Sequence, residues 1–210
     1  MKATITSPKP STALTIGTYV FPFPSPHLNL ILTPQCYWSL QDGNETSTWS
    51  DALLTSSGIA QAEKANTFWR SQISSQKIPT PESYYTSPLL RCLATANITF
   101  SGLELPEDRP FVPTIKELFR EALGVHTCDR RSSKSVIAEQ YPDWPFEKGF
   151  AEDDPLWDKD HRETNEAMDI RLREALDDVF SSDENTYISI SSHSGAIGSI
   201  LRGMYCGQRR

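Results

Sequence analysis

Two strand-like segments that each lead directly into a helix-like segment constrain this chain most. The stretch "SYYTS" (83–87) precedes "PLLRCLATANITF" (88–100), and "TYISISS" (186–192) precedes "HSGAIGSILRGM" (193–204). Strands that alternate with helices favour a mostly parallel sheet with helices on both faces. The sequence therefore predicts an α/β fold, a three-layer αβα sandwich around a mostly parallel central sheet.

Further elements complete this pattern. A strand is predicted over 28–32, before Pro34, and helices are predicted over 55–73, 114–124 and 162–180. The Pro-, Ser- and Thr-rich residues 1–27 are interpreted as an extended N-terminal arm, and 28–210 as a single domain. Within that domain, about 125–160 is predicted to be an irregular lid or insertion, whose acidic run "EDDPLWDKD" is interpreted as solvated surface.

Composition excludes several classes of function. The chain has 210 residues, a formal net charge of -7 and a pI near 5.1, which argue against nucleic-acid or anionic-membrane binding. No apolar run is long enough to span a bilayer, and the N-terminus lacks the layout of a secretory signal. The four cysteines are widely spaced and are interpreted as free thiols, so a cytoplasmic location is expected.

Arg91, His193 and Glu121 are candidates for chemistry, and the first two lie near predicted strand ends, where parallel sheets bind ligands. Arg91 falls in the first turn of a helix, where its charge adds to the helix dipole and favours an anion. His193 occupies a strand-to-helix turn, where an imidazole can exchange a proton near neutral pH. Each has a structural alternative: Arg91 as a solvated arginine, His193 as a helix cap, and Glu121 as a solvated helical carboxylate.

Four segments in order resemble the successive motifs of the histidine phosphatase superfamily, which has the phosphoglycerate mutase-like fold. They are "DALLTSSGIAQAEKANTFW", "YYTSPLLRCLATA", "LFREALGVHTCDRRSS" and "ISSHSGAIGSILR", and the third is most similar to the fungal branch of that family. The resemblance implies a phosphate pocket in which Arg91 is the second arginine and His193 the second histidine. It also implies that Glu121 is the general acid.

The sequence departs from the family where the first strand should end in an Arg-His pair. On the motif alignment, those positions hold Leu32 and Thr33. Without an imidazole to accept the phosphoryl group, phosphohistidine chemistry is expected to be absent, since losing a nucleophile costs on the order of a million-fold in rate. We therefore expect a repurposed enzyme of secondary metabolism. It would use His193, Glu121 and Arg91 for acid–base catalysis on a small organic metabolite, such as a cyclisation, isomerisation, dehydration or other lyase-type step.

Two alternatives remain open: a non-catalytic pseudophosphatase that binds an anionic ligand or a protein partner, and a weak phosphatase that uses water directly. In each case the binding site would include loop and lid residues. The sequence shows no metal-ligand spacing and no nucleotide-binding motif, so neither a metal nor a cofactor is expected. The expected partner is a small molecule, and an open sheet edge would favour a homodimer. The candidate substrate-binding residues are Leu32, Thr33, Tyr37, Trp38, His126 and Arg130.

Overall fold

A four-stranded sheet lies at the centre of the protein in this computed structural model, which describes residues 13–17 and 37–207. The strand order is β1-β6-β4-β5, and all three pairings in this sheet are parallel. A separate two-stranded antiparallel hairpin is formed by β2 and β3. The strands are β1 (Ala13–Gly17), β2 (Gly43–Asn44), β3 (Ser47–Thr48), β4 (Ser83–Thr86), β5 (Thr114–Ile115) and β6 (Tyr187–Ser191).

Helices cover both faces of the sheet, which confirms the predicted α/β sandwich with its parallel sheet. Ile188 and Ile190 of β6 pack against one pair of helices, α4 and α5. Another pair, α1 and α2, packs together on the other side, where α2 contacts β6 and β4. The helices are α1 (Ser56–Ser71), α2 (Leu90–Phe100), α3 (Lys134–Gln140), α4 (Asn165–Ser182) and α5 (Ser194–Gly207).

Side-chain caps fix where two of the long helices begin. The hydroxyl of Thr55 accepts the Gly58 N–H at the start of α1, and the hydroxyl of Thr164 accepts the Ala167 N–H at the start of α4. Such caps satisfy backbone donors that the first helical turn leaves unpaired. Both helices therefore begin within a few residues of the predicted boundaries.

The first strand differs from the sequence prediction. Residues 13–17 were expected to belong to an extended arm, but they form β1 and pair with β6 over its whole length, from Ala13 opposite Tyr187 to Gly17 opposite Ser191. The strand predicted over 28–32 lies outside the described residues. The edge position next to β6 is thus occupied by 13–17.

The prediction of a helix over 114–124 is wrong. That segment forms β5 and then a 3-10 turn, Glu117–Phe119, and Glu121 lies in the loop beyond it. The Ile115 N–H donates to Pro145 O, and the Lys116 N–H donates to Thr86 O of β4. Hydrogen bonds to distant parts of the chain therefore outweigh the local helical pattern.

The segment 125–160, expected to be an irregular lid, contains α3 and contributes to the core. Ile137 and Phe150 are buried in a cluster with Leu90, Leu93 and Ile115. Its acidic run is also not uniformly solvated, because only 7% of the Asp154 side chain is exposed. Among the described helices, none combines the length and apolar character that crossing a bilayer requires.

Candidate functional site

The candidate site lies at the carboxyl ends of β4 and β6. The pairing of these strands continues one residue past β4, where the Ser87 N–H donates to Ser191 O at 3.0 Å. The Ser192 hydroxyl donates to Phe119 O at 2.7 Å and so holds the turn between β6 and α5 against the loop after β5. His193 follows directly and precedes the first residue of α5, so the structure places its imidazole at the edge of the sheet where the sequence predicted a site.

His193 is buried and is held by a hydrogen bond. Its Nε2 lies 2.8 Å from the Ser87 hydroxyl. Burial, and then the positive charges of Arg91, Arg120 and Arg171, hold the pKa of this histidine well below its ordinary value. The ring is therefore neutral near pH 7, and it can both donate and accept a hydrogen bond.

The Glu121 carboxylate binds the backbone of α5 two residues after His193. Its Oε2 accepts the Gly195 N–H at 3.0 Å, and its Oε1 accepts the Ala122 N–H at 3.0 Å. A Cβ at position 195 would lie 3.0 Å from the carboxyl carbon of Glu121, so a side chain there would displace the carboxylate. The structure thus brings Glu121 within two residues of His193, although it reaches the site from a loop and not from the predicted helix.

Arg91 lies in the first turn of α2, as predicted, and is buried. Its Nη1 donates to Cys128 O at 2.6 Å, and its Nη2 donates to the Asp129 carboxylate at 2.8 Å. The other carboxylate oxygen of Asp129 accepts from Arg162 at 2.9 Å. The guanidinium of Arg91 therefore belongs to a buried chain of ion pairs, and the solvated alternative for this arginine is wrong.

Arg120 is a buried charge that the sequence interpretation missed. Its side chain is completely buried and forms a two-pronged ion pair with Asp154, at 2.7 and 2.6 Å. It also donates to Glu117 at 2.8 Å and to Asp129 O at 2.6 Å. The signal in the sequence was charge complementarity between the arginine-rich stretch "FREALGVHTCDRR" and the acidic run "EDDPLWDKD".

Arg171 is a second missed arginine, and it supports the loop that carries Glu121. It pairs with both carboxylate oxygens of Glu163, at 2.7 and 2.6 Å. It also donates to three carbonyl groups of the loop, those of Leu118, Arg120 and Glu121. Since Arg171 lies on α4, this helix fixes the loop next to the site.

Asp51 is the third missed residue. It is buried, and its carboxylate accepts the N–H groups of Leu90, at 2.9 Å, and Ser132, at 2.7 Å. Burial raises the pKa of this carboxyl, while the hydrogen bonds oppose that rise. Asp51 thereby ties the start of α2, and hence Arg91, to the segment that follows Arg131.

Four of the six candidate substrate-binding residues have side chains that the structure does not describe. Leu32 and Thr33 lie outside the described residues. Tyr37 and Trp38 belong to a 3-10 turn, Tyr37–Leu40, whose first two side chains are not described. This turn lies against the 3-10 turn Thr127–Asp129. Directly after it, Gln41 O accepts the Thr127 hydroxyl at 2.6 Å.

The two remaining candidates, His126 and Arg130, lie in the neighbourhood of that turn. Burial, and then the charge of Arg162, lower the pKa of the partly exposed His126. Arg130 pairs with Asp42 at 2.7 Å and lies over the Trp157 ring, 5.1 Å from its centre. His126 is thus linked electrostatically to the Asp129 ion-pair chain, whereas Arg130 is engaged in a surface ion pair.

The described residues offer no site for a metal ion. Within 13–17 and 37–207, no group of three or more histidine, cysteine, aspartate or glutamate side chains is arranged to hold a metal ion. The described part of the site holds a neutral imidazole, a carboxylate and buried guanidinium groups.

A family model and curated relatives point to the same protein family. The family model for the histidine phosphatase superfamily (branch 1) matches residues 35–208. A "Probable phosphoglycerate mutase" of Arthroderma benhamiae is 56% identical over 165 residues, 79% of this chain and 49% of that protein. A probable phosphoglycerate mutase of Saccharomyces cerevisiae is 35% identical over 185 residues, 80% of this chain and 63% of that protein. The chain thus spans about half to two thirds of the length of these relatives.

Solved structures of phosphatases resemble the fold. The native structure of a mycobacterial glucosyl-3-phosphoglycerate phosphatase matches with a TM-score of 0.46 and 17% identity, over 81% of this chain and 74% of that chain. The ecdysone phosphate phosphatase of the silkworm, solved with tungstate, matches with a TM-score of 0.49 and 13% identity, over 75% of this chain and 58% of that one. The family match and the identity to the fungal relatives establish that this chain belongs to the histidine phosphatase superfamily, branch 1.

Proposed function

We propose that the chain binds a phosphate monoester at the carboxyl edge of its sheet, and that His193 and Glu121 handle a proton at the ester. The observation that carries this proposal is the position of a buried, neutral His193 two residues before Gly195, whose N–H is held by the Glu121 carboxylate. A phosphate ester is chosen because the family acts on phosphate groups and because the relatives are named as phosphoglycerate mutases.

The electrostatics at His193 support an anionic ligand. Arg91, Arg120 and Arg171 each disfavour a proton on this imidazole, which means that the potential at the ring is positive. The same potential lowers the free energy of an anion placed beside the ring. The amino-terminal ends of α2 and α5 lie next to the strand ends and add the positive ends of their dipoles.

The chemistry available to the two side chains is proton transfer. A neutral imidazole donates a hydrogen bond from one ring nitrogen, and a carboxylate such as Glu121 accepts a proton or a hydrogen bond. In hydrolysis, a water oxygen would form the new bond to phosphorus as the ester bond breaks, and the imidazole N–H would stabilise the charge on a phosphate oxygen. The Glu121 carboxylate would take the proton of that water and pass it to the departing alkoxide. Arg91 would act less as a free anion clamp than as a fixed positive charge, because two of its nitrogens are engaged by Cys128 O and Asp129.

A second candidate function is acid–base catalysis without a phosphoenzyme. The observation that favours it is in the sequence, where none of the four histidines follows an arginine and no Arg-His pair of the family type exists. His193 and Glu121 would then catalyse a cyclisation, isomerisation, dehydration or other lyase-type step on a small organic metabolite. No relative reported above is named for such a reaction or for secondary metabolism.

An activity assay tests the leading proposal. Purified protein is incubated with para-nitrophenyl phosphate and, separately, with 3-phosphoglycerate, and released phosphate is measured. We expect His193→Gln and Glu121→Gln each to lower the rate by about a hundredfold or more, in the range for loss of a general acid or base. Glu139→Gln, which alters an exposed carboxylate on α3, is the matched control and should leave the rate unchanged.

Equal phosphate release by the wild type and His193→Gln would contradict the proposal. A protein that releases no phosphate but binds 3-phosphoglycerate in a His193-dependent way, measured by calorimetry, would instead be a pseudophosphatase. Phosphate release that leaves an acid-labile phosphoryl group on the protein would exclude the second candidate, because that group reports a phosphohistidine.

A further inference from the structure

Ser87 is a buried hydroxyl at the point where β4 and β6 stop pairing. Ser87 is completely buried, and its backbone N–H donates to Ser191 O at 3.0 Å. This backbone bond places the Ser87 side chain beside the start of α5, and its Oγ lies 2.8 Å from Nε2 of His193. The Ser87–His193 contact is therefore set by the sheet itself and not by a mobile surface loop.

The hydrogens around Ser87 Oγ decide which ring nitrogen carries the proton. The Leu89 N–H points at this oxygen from 3.4 Å, so the oxygen already receives one donor. The Ser87 hydroxyl hydrogen needs an acceptor, and within the described residues the acceptor bonded to Oγ is Nε2 of His193. A proton on Nε2 would aim a second donor at Oγ and leave a buried hydroxyl hydrogen unpaired, which is unfavourable.

The His193 ring can carry only one proton, since it is buried among positive charges and is neutral near pH 7. If Nε2 accepts from Ser87, that proton is on Nδ1. In the part of the chain that the structure describes, Nδ1 of His193 forms no hydrogen bond. Nδ1–H is then the one ring donor left for a ligand.

We propose that Ser87 is a positioning residue that holds His193 in the Nδ1–H form, so that Nδ1–H is the group that donates to the ligand. The assignment of the tautomer stands on the Ser87–His193 geometry together with the neutral state of the buried ring. Only the identity of the ligand as a phosphate ester rests on the function proposed above. His193 then acts as a hydrogen-bond donor to an oxygen of the phosphate group. Glu121 is left as the nearby group able to accept a proton.

Nuclear magnetic resonance of the whole chain labelled with nitrogen-15 in histidine tests the tautomer directly. Long-range proton–nitrogen spectra distinguish a protonated from an unprotonated ring nitrogen, and the His193 signals are assigned by their loss in His193→Gln. For the wild type we expect a protonated Nδ1 and an unprotonated Nε2. A wild-type spectrum with the proton on Nε2 would overturn the proposal.

Two substitutions at position 87 test the role of the hydroxyl. Ser87→Ala removes the donor to Nε2, so the His193 signals should shift toward the Nε2–H form, which is the form that solvated imidazole prefers. Ser87→Thr keeps a hydroxyl and should restore the Nδ1–H pattern. An unchanged tautomer in Ser87→Ala would show that some other contact sets the ring, and the positioning role would be wrong.

Kinetics then separate this proposal from the proposed function. In Ser87→Ala, kcat for the phosphate ester should fall about tenfold, the effect of one misdirected hydrogen bond, while KM changes little and Ser87→Thr recovers the rate. If the spectra show the expected tautomer but no variant or wild type releases phosphate, the tautomer assignment is supported and the phosphate ester function fails. If phosphate is released but the wild-type proton is on Nε2, the phosphate ester function is supported and the tautomer assignment fails.

Discussion

The carboxylate of Glu121 accepts the N–H of Gly195 at 3.0 Å, across 74 residues of sequence. This one contact joins the loop after the 3-10 turn to the first turn of α5. Because His193 lies two residues before Gly195, the same contact keeps the carboxylate near the backbone turn that carries the imidazole. The mutual geometry of the proposed proton-handling pair therefore depends on the absence of a side chain at position 195.

Gly195→Ala should break this arrangement. The added Cβ would meet the Glu121 carboxyl group, so the carboxylate or the helix must shift. We expect the carboxylate to shift and lose its hydrogen bond to residue 195, which should lower the free energy of unfolding by about 1 kcal/mol, and phosphate release should fall with it. Urea denaturation and the phosphate assay measure the two effects.

Gly203→Ala is the matched control, since it lies on the same helix and its added Cβ would meet no atom within 4 Å. Alanine there should stabilise the helix by up to about 1 kcal/mol without affecting activity. If the two alanine variants behave alike, the close approach of Glu121 to Gly195 has no energetic consequence.

Asp129→Ala should be among the most destabilising single changes in the protein. Its carboxylate, only 5% exposed, neutralises Arg91 on one side and Arg162 on the other. Removing it takes away a buried carboxylate that pairs with Arg91 at 2.8 Å, and breaking such a buried pair costs roughly 3 to 5 kcal/mol. Chemical denaturation measures the change in the free energy of unfolding.

Asp42→Ala provides the comparison for Asp129. Asp42 also pairs with an arginine, Arg130, at 2.7 Å, but its side chain is 63% exposed. Exposed pairs contribute at most about 1 kcal/mol, because solvent and salt screen them. A loss in Asp42→Ala as large as that in Asp129→Ala would contradict the burial argument.

Stability should decrease below about pH 6.5 because of His193. Burial and three nearby arginines lower the pKa of this residue in the folded protein. Below the pKa of the unfolded chain, the unfolded state binds a proton that the folded state does not, so this contribution is complete above that pKa and is lost as the pH falls. Between about pH 7.5 and about pH 5.5 the loss from this one group should be about 1 kcal/mol.

The pH effect is isolated by measuring urea denaturation of the wild type and His193→Gln at both pH values. The other three histidines, His27, His126 and His161, are present in both proteins, so their contributions cancel in the difference. The wild type should lose more stability than the variant on acidification. Equal losses would mean that the pKa of His193 is the same in the folded and the unfolded protein.

Arg171→Lys should weaken the support of the Glu121 loop. Arg171 pairs with both oxygens of Glu163 and also reaches the Leu118 carbonyl, at 2.6 Å. A lysine has a single ammonium group and cannot reproduce this planar fork. We expect a loss of about 2 kcal/mol in the free energy of unfolding.

Arg173→Lys tests whether the Arg171 effect is specific. Arg173 is two residues away on the same helix but is exposed, so its replacement should change stability by less than about 0.5 kcal/mol. A similar small change in Arg171→Lys would show that the paired geometry contributes little.

The strand-to-helix turns after β4 and β6 were readable from the sequence. The β-branched and aromatic run before Ser87, and the alternating run before His193, each end where an amphipathic helix begins, and both signals are local. The helix expected around Glu121 was wrong because its residues gain more from distant partners. Ile115 and Lys116 bond to other strands and loops, and no local periodicity records such bonds.

The sequence by itself determined the αβα layering and placed Arg91 and His193 at strand ends, since hydrophobic periodicity and turn residues act over a few neighbouring positions. It could not determine the hydrogen bonds of these side chains. Only the tertiary structure decided that Arg91 is bound by Asp129, that Ser87 meets His193 and that Glu121 reaches Gly195. The physical reason is that burial and charge pairing depend on which distant segments pack together, and burial is what gives these few polar contacts their strength.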